Sequence, residues 1–395
     1  MIRNLMTAFL LMTLIFSNVL MAQNTDKKAT QQPETSGAAV SVDEFVIPEN
    51  ATPEALLQQA KVLMSTSKEF KTQEEYLAWV TKLLDTVLRI SDKVLGMQAS
   101  DAEHLQAISL KGQILYYQSM INPAALENLQ KFVNSAKNDP VIQKDERGAK
   151  ILLSFQGAYY QGKAVGIAQN KGKADEIKAV VADVWKLIQE NPEEAEMILD
   201  FVDPVSVIAD EQQTPQLVNE IFDPICDTLK NSQTPGHVKV AESLAGILRF
   251  ARLTGNKMEL EGILADGTPF DPKSIEGKLT VVDFWATWCV PCQMLYPKLE
   301  VLYKKYHDQG FEVVGYSVDQ DVDALVKMIG EKNIPWPTIS QKNSGDRNMK
   351  QLAPYYGINS IPTMILIGKD GKVISCDIGI DELTETLQNT FNSEK

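Results

Sequence analysis

The chain has 395 residues, with 38 Lys plus Arg against 52 Asp plus Glu and a net charge of −14. That length accommodates roughly two or three domains, and a hydrophobic content of 44% with 23% charged residues is ordinary for globular protein. An acidic surface repels nucleic acid and anionic membranes, and no basic stripe overrides it, so nucleic-acid binding is disfavoured.

Residues 1–22 read as a secretory signal. Arg3 supplies the positive charge, Leu5 to Phe16 is mostly apolar, and Ala22 precedes the polar Gln23-Asn24-Thr25-Asp26. The alternative is an uncleaved anchor, because the apolar stretch approaches spanning length. Residues 23–50 are rich in Gln, Thr, Ser, Glu and Pro without apolar periodicity, and read as a flexible linker.

Residues 51–254 read as an all-helical domain. Thr52-Pro53-Glu54 places an N-cap before a proline at the first helical position. Thr72-Gln73-Glu74-Glu75 and Ser100-Asp101-Ala102-Glu103 match the capping box, in which hydroxyl and carboxylate each satisfy one orphan N–H. Asn122-Pro123, Asp139-Pro140, Asn191-Pro192 and Thr214-Pro215 repeat the cap-then-proline signal. Tyr76, Val80, Leu83, Leu84, Val87 and Leu88 fall on one helical face. The start signals are unevenly spaced, so a bundle or irregular helical array fits better than a consensus repeat.

After Gly255 the pattern changes. Strand-type runs are predicted at Met258–Leu264, Leu279–Trp285, Phe311–Val318, Thr363–Ile367 and Val373–Asp377. Lys369-Asp370-Gly371 marks a hairpin turn between the last two. Helices are predicted around Pro291–His307, Val322–Glu331, Asn348–Tyr356 and Asp381–Phe391. The order implies an α/β domain over 256–395, a mixed sheet with helices on both faces.

The four cysteines are Cys226, Cys289, Cys292 and Cys376. They form no disulfide framework; one close pair with two distant singles in an exported chain points to redox chemistry at the pair. Cys289-Val290-Pro291-Cys292 follows the apolar strand and opens a helix. The thiolate is the reactive form of Cys, and a helix N-terminus offers partial positive charge and unpaired N–H groups to stabilise it. Two intervening residues bring Cys292 within disulfide reach. Cys289 is therefore the expected attacker and Cys292 the resolving thiol. Zinc is disfavoured because the pair lacks a second set of ligands: His104, His237 and His307 are scattered. Cys226 and Cys376 read as buried inert thiols, with a disulfide between them as the alternative.

The run Val282-Asp283-Phe284-Trp285-Ala286-Thr287-Trp288-Cys289-Val290-Pro291-Cys292 resembles the active-site strand and turn of the thioredoxin superfamily, most closely its TlpA/ResA branch of exported thiol–disulfide oxidoreductases. Tyr356-Gly357-Ile358-Asn359-Ser360-Ile361-Pro362-Thr363 resembles that family's cis-proline segment. The Glu261–Gly267 strand and turn, Gly277-Lys278 before the central strand and the extra stretch around Ile334-Pro335-Trp336-Pro337 also resemble the TlpA/ResA branch, and the likeness covers about 256–395. It implies a cis-proline at Pro362, facing the disulfide and holding the Ile361 backbone for pairing with a substrate strand. It also implies a buried acid at Asp283, set to carry the proton of Cys292; flanking Val281, Val282, Phe284 and Trp285 point to burial. Many TlpA/ResA members carry another residue there. Trp288 is expected to cover the disulfide and contribute to docking, Trp285 to be core, and Trp336 either to line a groove or to pack.

No cofactor or metal is implied. The resemblance implies an exported reductase of client-protein disulfides in a bacterial periplasm or cell envelope, its clients including apocytochromes awaiting haem (cytochrome c maturation). A membrane-embedded electron donor would keep the pair reduced. The alternatives are a disulfide isomerase using the helical domain for client binding or dimerisation, and a helical scaffold with an accessory redox domain. Oligomeric state is not legible.

Overall fold

A computed structural model describes residues 45–392 except 67, 69 and 71. The expected signal and most of the expected linker lie outside the described residues. Two compact units divide at Thr86/Val87.

The helical elements are α1 (Pro53–Ser65), α2 (Gln73–Leu95), α3 (Asp101–Ile121), α4 (Leu126–Ala136), α5 (Pro140–Lys144), α6 (Glu146–Gln169), α7 (Ala174–Glu190), α8 (Val202–Glu211), α9 (Gln216–Lys230) and α10 (His237–Ala251). The starts of α1, α2, α3 and α5 follow the sequence signals, while α9 begins after Thr214-Pro215 without a side-chain cap. The Ala55 amide donates to Thr52 Oγ1 at 3.2 Å. At Ser100 both halves of the capping box form. Asp139 Oδ1 accepts from the Val141 and Ile142 amides at 2.9 and 3.2 Å. Asn122-Pro123 and Asn191-Pro192 open 3₁₀ turns, Pro123–Ala125 and Pro192–Phe201, in place of α-helices. Val80, Leu83, Leu84 and Val87 are buried, as their shared face requires. No described helix is long and apolar enough to cross a membrane.

The second part of the chain builds a six-stranded mixed sheet in the order β1-β4-β3-β2-β5-β6. Its strands are β1 (Ile263–Leu264), β2 (Leu279–Trp285), β3 (Phe311–Ser317), β4 (Thr338–Ser340), β5 (Thr363–Ile367) and β6 (Val373–Ser375). Helices α11 (Val290–Tyr306), α12 (Val322–Lys332), α13 (Gln341–Asp346), α14 (Leu352–Tyr355) and α15 (Ile380–Asn392) complete it. Central β2 pairs in parallel with β3 and antiparallel with β5. Apolar residues occupy both faces of the inner strands, as a sheet covered on two sides demands. Val281, Val313 and Leu366 pack with Leu299 and Leu302 of α11 and Leu383 and Leu387 of α15. Val282, Phe284, Val314 and Ile365 pack on the other face with Leu352, Tyr356 and Leu253.

Three expected elements shrink. Met258–Leu264 yields only β1, because its amides go to side chains: Glu259 N donates to Tyr356 Oη at 2.8 Å and Ile263 N to Ser344 Oγ at 2.9 Å. Asn348–Tyr356 yields only α14. Asn348 sits in the left-handed region at φ 55°, and the Leu352 amide is taken by Tyr316 Oη at 2.7 Å. Val373–Asp377 shortens to β6. Strand β4 and helix α13 went unpredicted.

Helix α10 meets the sheet-bearing part through two glycines. A Cβ on Gly246 would lie 2.9 Å from the Gly357 nitrogen and 3.1 Å from both Gly357 Cα and Pro354 O. Gly357 has φ 62°, and a Cβ on it would lie 2.5 Å from the Ile247 nitrogen. Beside them, Arg249 Nε donates to Tyr355 O at 2.7 Å. The Arg249 guanidinium lies 4.2 Å and the Lys350 ammonium 4.1 Å from the Tyr355 ring centroid. Every atom opposing Gly246 is backbone, so Gly246→Val must separate the two segments at a cost of about 1–3 kcal/mol. A thermal melt of the full chain should show a clear fall in midpoint; an unchanged midpoint would contradict this packing.

Candidate active site

Strand β2 ends at Trp285, and the chain turns through Ala286-Thr287-Trp288 into α11. The turn closes with the Cys289 amide donating to Ala286 O at 3.1 Å. Cys289 is the N-cap of α11, with extended backbone (φ −83°, ψ 96°) and Pro291 in the first turn. Its Sγ accepts from the Cys292 amide at 3.2 Å. A sulfur in that position receives an orphan N–H and faces the positive end of a 17-residue helix. Cys289 and Cys292 are disulfide-bonded, with Cα atoms 5.3 Å apart.

The pair is mostly covered, Cys289 being 4% and Cys292 6% exposed. It packs in a small apolar cluster with Trp285, Ala286 and Leu325, against which Ile361 and Val318 lean. The Ile361–Pro362 peptide bond is cis. Residues some seventy positions apart in sequence, Cys289, Cys292 and Ile361, are thus brought together. Trp288 is 66% exposed, and so are neighbouring Val290 (64%) and Met294 (72%). An uncovered apolar face therefore surrounds a nearly hidden sulfur.

Asp283 sits mid-β2, opposite Gly315 of β3 and Met364 of β5. Its Oδ1 is buried without a hydrogen-bond partner. Burial pushes its carboxyl up to about 7. An acid in that range near neutrality both gives and accepts protons.

Trp285 is core, and Trp336 is a packing residue: it is buried and its ring centroid lies 5.5 Å from that of Tyr296 and 5.4 Å from that of Tyr303. Cys226 and Cys376 are free thiols. Cys226 Sγ points to Ala241 O at 3.5 Å and Cys376 Sγ to Phe250 O at 3.6 Å. Burial pushes both thiols up, away from the reactive thiolate. No group of three or more metal-ligating side chains occurs among the described residues.

Sequence reasoning passed over Asp319. It is buried two residues beyond β3, and its carboxylate accepts from Thr287 in the turn before Cys289. The only signal was an acidic residue directly after an apolar strand.

A thioredoxin-like family model matches residues 277–373. The thiol-disulfide oxidoreductase ResA of Bacillus thuringiensis (strain Al Hakam) is 31% identical over 123 residues, 31% of this chain and 67% of that protein. ResA of Bacillus subtilis (strain 168) is 26% identical over 126 residues, 32% of this chain and 66% of that protein. Among solved structures, the thioredoxin domain of a thiol-disulfide oxidoreductase from Bacteroides vulgatus is 28% identical. That alignment covers 35% of this chain and 98% of that one, with a TM-score of 0.32. A helix-capping Cys-x-x-Cys disulfide on a thioredoxin-like sheet thus coincides with sequence kinship, and the chain belongs to the ResA-like thiol–disulfide oxidoreductases of the thioredoxin superfamily.

Proposed function

We propose that the chain is an exported protein-disulfide reductase. The observation carrying this reading is Cys289 at the helix N-cap, its sulfur receiving the Cys292 amide at 3.2 Å. In the reduced protein the Cys289 thiolate attacks one sulfur of a client disulfide. The client's S–S bond breaks, its first sulfur leaves as a thiolate and takes a proton, and a Cys289–client mixed disulfide forms. The Cys292 thiol then gives up its proton and attacks Cys289 Sγ. The second client thiolate leaves, and the Cys289–Cys292 disulfide observed here results. Two electrons pass to the client.

Asp283 is the proposed acceptor of the Cys292 proton, because a carboxyl raised to about 7 is matched to that transfer near neutral pH. The Ile361 backbone, beside the sulfur pair and followed by Pro362, is the proposed pairing edge for a client strand. Exposed Trp288, Val290 and Met294 supply the apolar surface on which that strand rests.

The signal-type residues 1–22 support the reading of export to a bacterial cell envelope. There an oxidising milieu would leave the pair as a disulfide, so a membrane-embedded dithiol donor returns two electrons per cycle. The helical residues 51–254 form the accompanying domain. The test is turbidimetric insulin reduction driven by dithiothreitol, with a thioredoxin control. Catalytic acceleration is expected. No acceleration, while the control accelerates the same reaction, would remove the reductase reading.

A further inference from the structure

Asp319 is 2% exposed and lies two residues beyond the end of β3. Its Oδ1 accepts from the Thr287 amide at 3.1 Å and from Thr287 Oγ1 at 2.7 Å. Its Oδ2 accepts from the Thr287 amide at 3.0 Å and from Ser317 Oγ at 2.7 Å. The Asp319 amide in turn donates to Ser317 Oγ at 3.1 Å. The donors to the carboxylate are therefore uncharged, and Thr287 provides both a backbone and a side-chain donor.

The other end of Thr287 is held as well. Gln293 Nε2, from the first turn of α11, donates to Thr287 O at 2.6 Å. The Val318 amide donates to Trp285 O at 3.0 Å, which keeps the β3 end beside the β2 end. Thr287 is two residues before Cys289. A buried carboxylate is costly unless its lone pairs are filled, and here they are filled chiefly by the one residue that sets the entry angle into the nucleophile's helix.

We propose that Asp319 is a positioning residue for the nucleophile: by clamping Thr287 it fixes the 286–288 turn and so seats Cys289 at the N-cap of α11. This rests on the reading above that the Cys289 thiolate is the attacking group. The thiolate gains from the Cys292 amide and the helix terminus only while its sulfur stays within hydrogen-bond reach. Loosening the turn withdraws that stabilisation from the dithiol form. The disulfide form, which carries no thiolate, loses less. The equilibrium in which two glutathione thiols reduce the Cys289–Cys292 disulfide, giving the dithiol and glutathione disulfide, therefore shifts toward the protein disulfide.

Asp319→Asn replaces one accepting oxygen by an amide donor, which cannot accept from Thr287 or Ser317 at that position. Thr287→Val removes only the hydroxyl at similar volume and leaves the charge untouched. Thr287→Ser keeps the hydroxyl. The experiment equilibrates each full-length protein with glutathione buffers and quantifies dithiol and disulfide by alkylation and mass. Asp319→Asn should lower the equilibrium constant for reduction about fivefold or more, and Thr287→Val about threefold, the scale of one hydrogen bond. Thr287→Ser should stay with the wild type. If Asp319→Asn does not fold, Thr287→Val against Thr287→Ser decides.

A melting point lowered with the equilibrium within twofold of wild type would reduce Asp319 to a structural role and overturn the proposal. So would a shift toward the dithiol, which reports removal of a nearby negative charge and not loss of position. A wild-type protein that does not exchange with glutathione at all would overturn the thiol assignment itself, and this proposal with it.

Discussion

Cys289→Ser should lose thiol–disulfide exchange turnover by on the order of a thousandfold or more, because it removes the proposed attacking thiol. Cys226 and Cys376 are free, but burial pushes both thiols up, and each is turned onto a backbone carbonyl. Cys292→Ser also abolishes turnover, at a different step. Cys289 still attacks, but nothing resolves the mixed disulfide, so a covalent adduct accumulates with the client. The two variants are therefore equal in steady-state assays and opposite in trapping. Insulin reduction followed by non-reducing electrophoresis distinguishes them. Equal trapping by both variants would remove the assigned order of attack.

Asp283→Asn has the second large effect, on stability. Oδ1 of Asp283 is buried with no partner, and burial raises its carboxyl from 3.8 to about 7. In the unfolded chain the group ionises near its ordinary value. Between about pH 4 and pH 7 the folded state thus holds a proton that the unfolded state has released, and stability falls as pH rises. Below that window the penalty is absent; above it the penalty is full, on the order of 4 kcal/mol from the separation of the two values. The amide cannot ionise, so the oxidised Asp283→Asn protein should be more stable than the wild type at pH 8 and nearly equal to it at pH 4. Urea unfolding at both values is the measurement. The same variant should slow Cys292 attack on the mixed disulfide by about a hundredfold, since it cannot accept a proton. An identical pH dependence in variant and wild type would contradict the burial assigned to this carboxyl.

The thioredoxin-like part of the chain was legible because its signals are local. Leu279–Trp285 and Thr363–Ile367 are uninterrupted apolar runs at strand length, and the strands form over those residues. The Cys-x-x-Cys pair sits where a strand pattern gives way to a helix pattern, and the sequence shows that junction directly. The cap signals of the helical part are equally local, which is why Thr52, Ser100 and Asp139 cap as read. What escaped depends on contacts distant in sequence. Strand β4 has three residues behind Pro337 and exists because Gly315 of β3 pairs with Thr338. The Met258–Leu264 run looked like a strand, yet Tyr356 and Ser344, some eighty or more residues away, take its amides. Asp319 was invisible for the same reason. Its partner Thr287 lies 32 residues earlier, and no spacing rule links them. The close approach of Gly246 to Gly357 likewise joins two glycines that read separately as ordinary.

The central claim is that Cys289 is the sulfur that joins a client. It is tested most directly by peptide mapping of the adduct formed when reduced Cys292→Ser protein meets a disulfide-bonded protein substrate. The expected result is a single cross-linked peptide, with the substrate cysteine bonded to Cys289. Cross-linking at Cys226 or Cys376, or no adduct under conditions in which wild-type protein is oxidised by the same substrate, would contradict it.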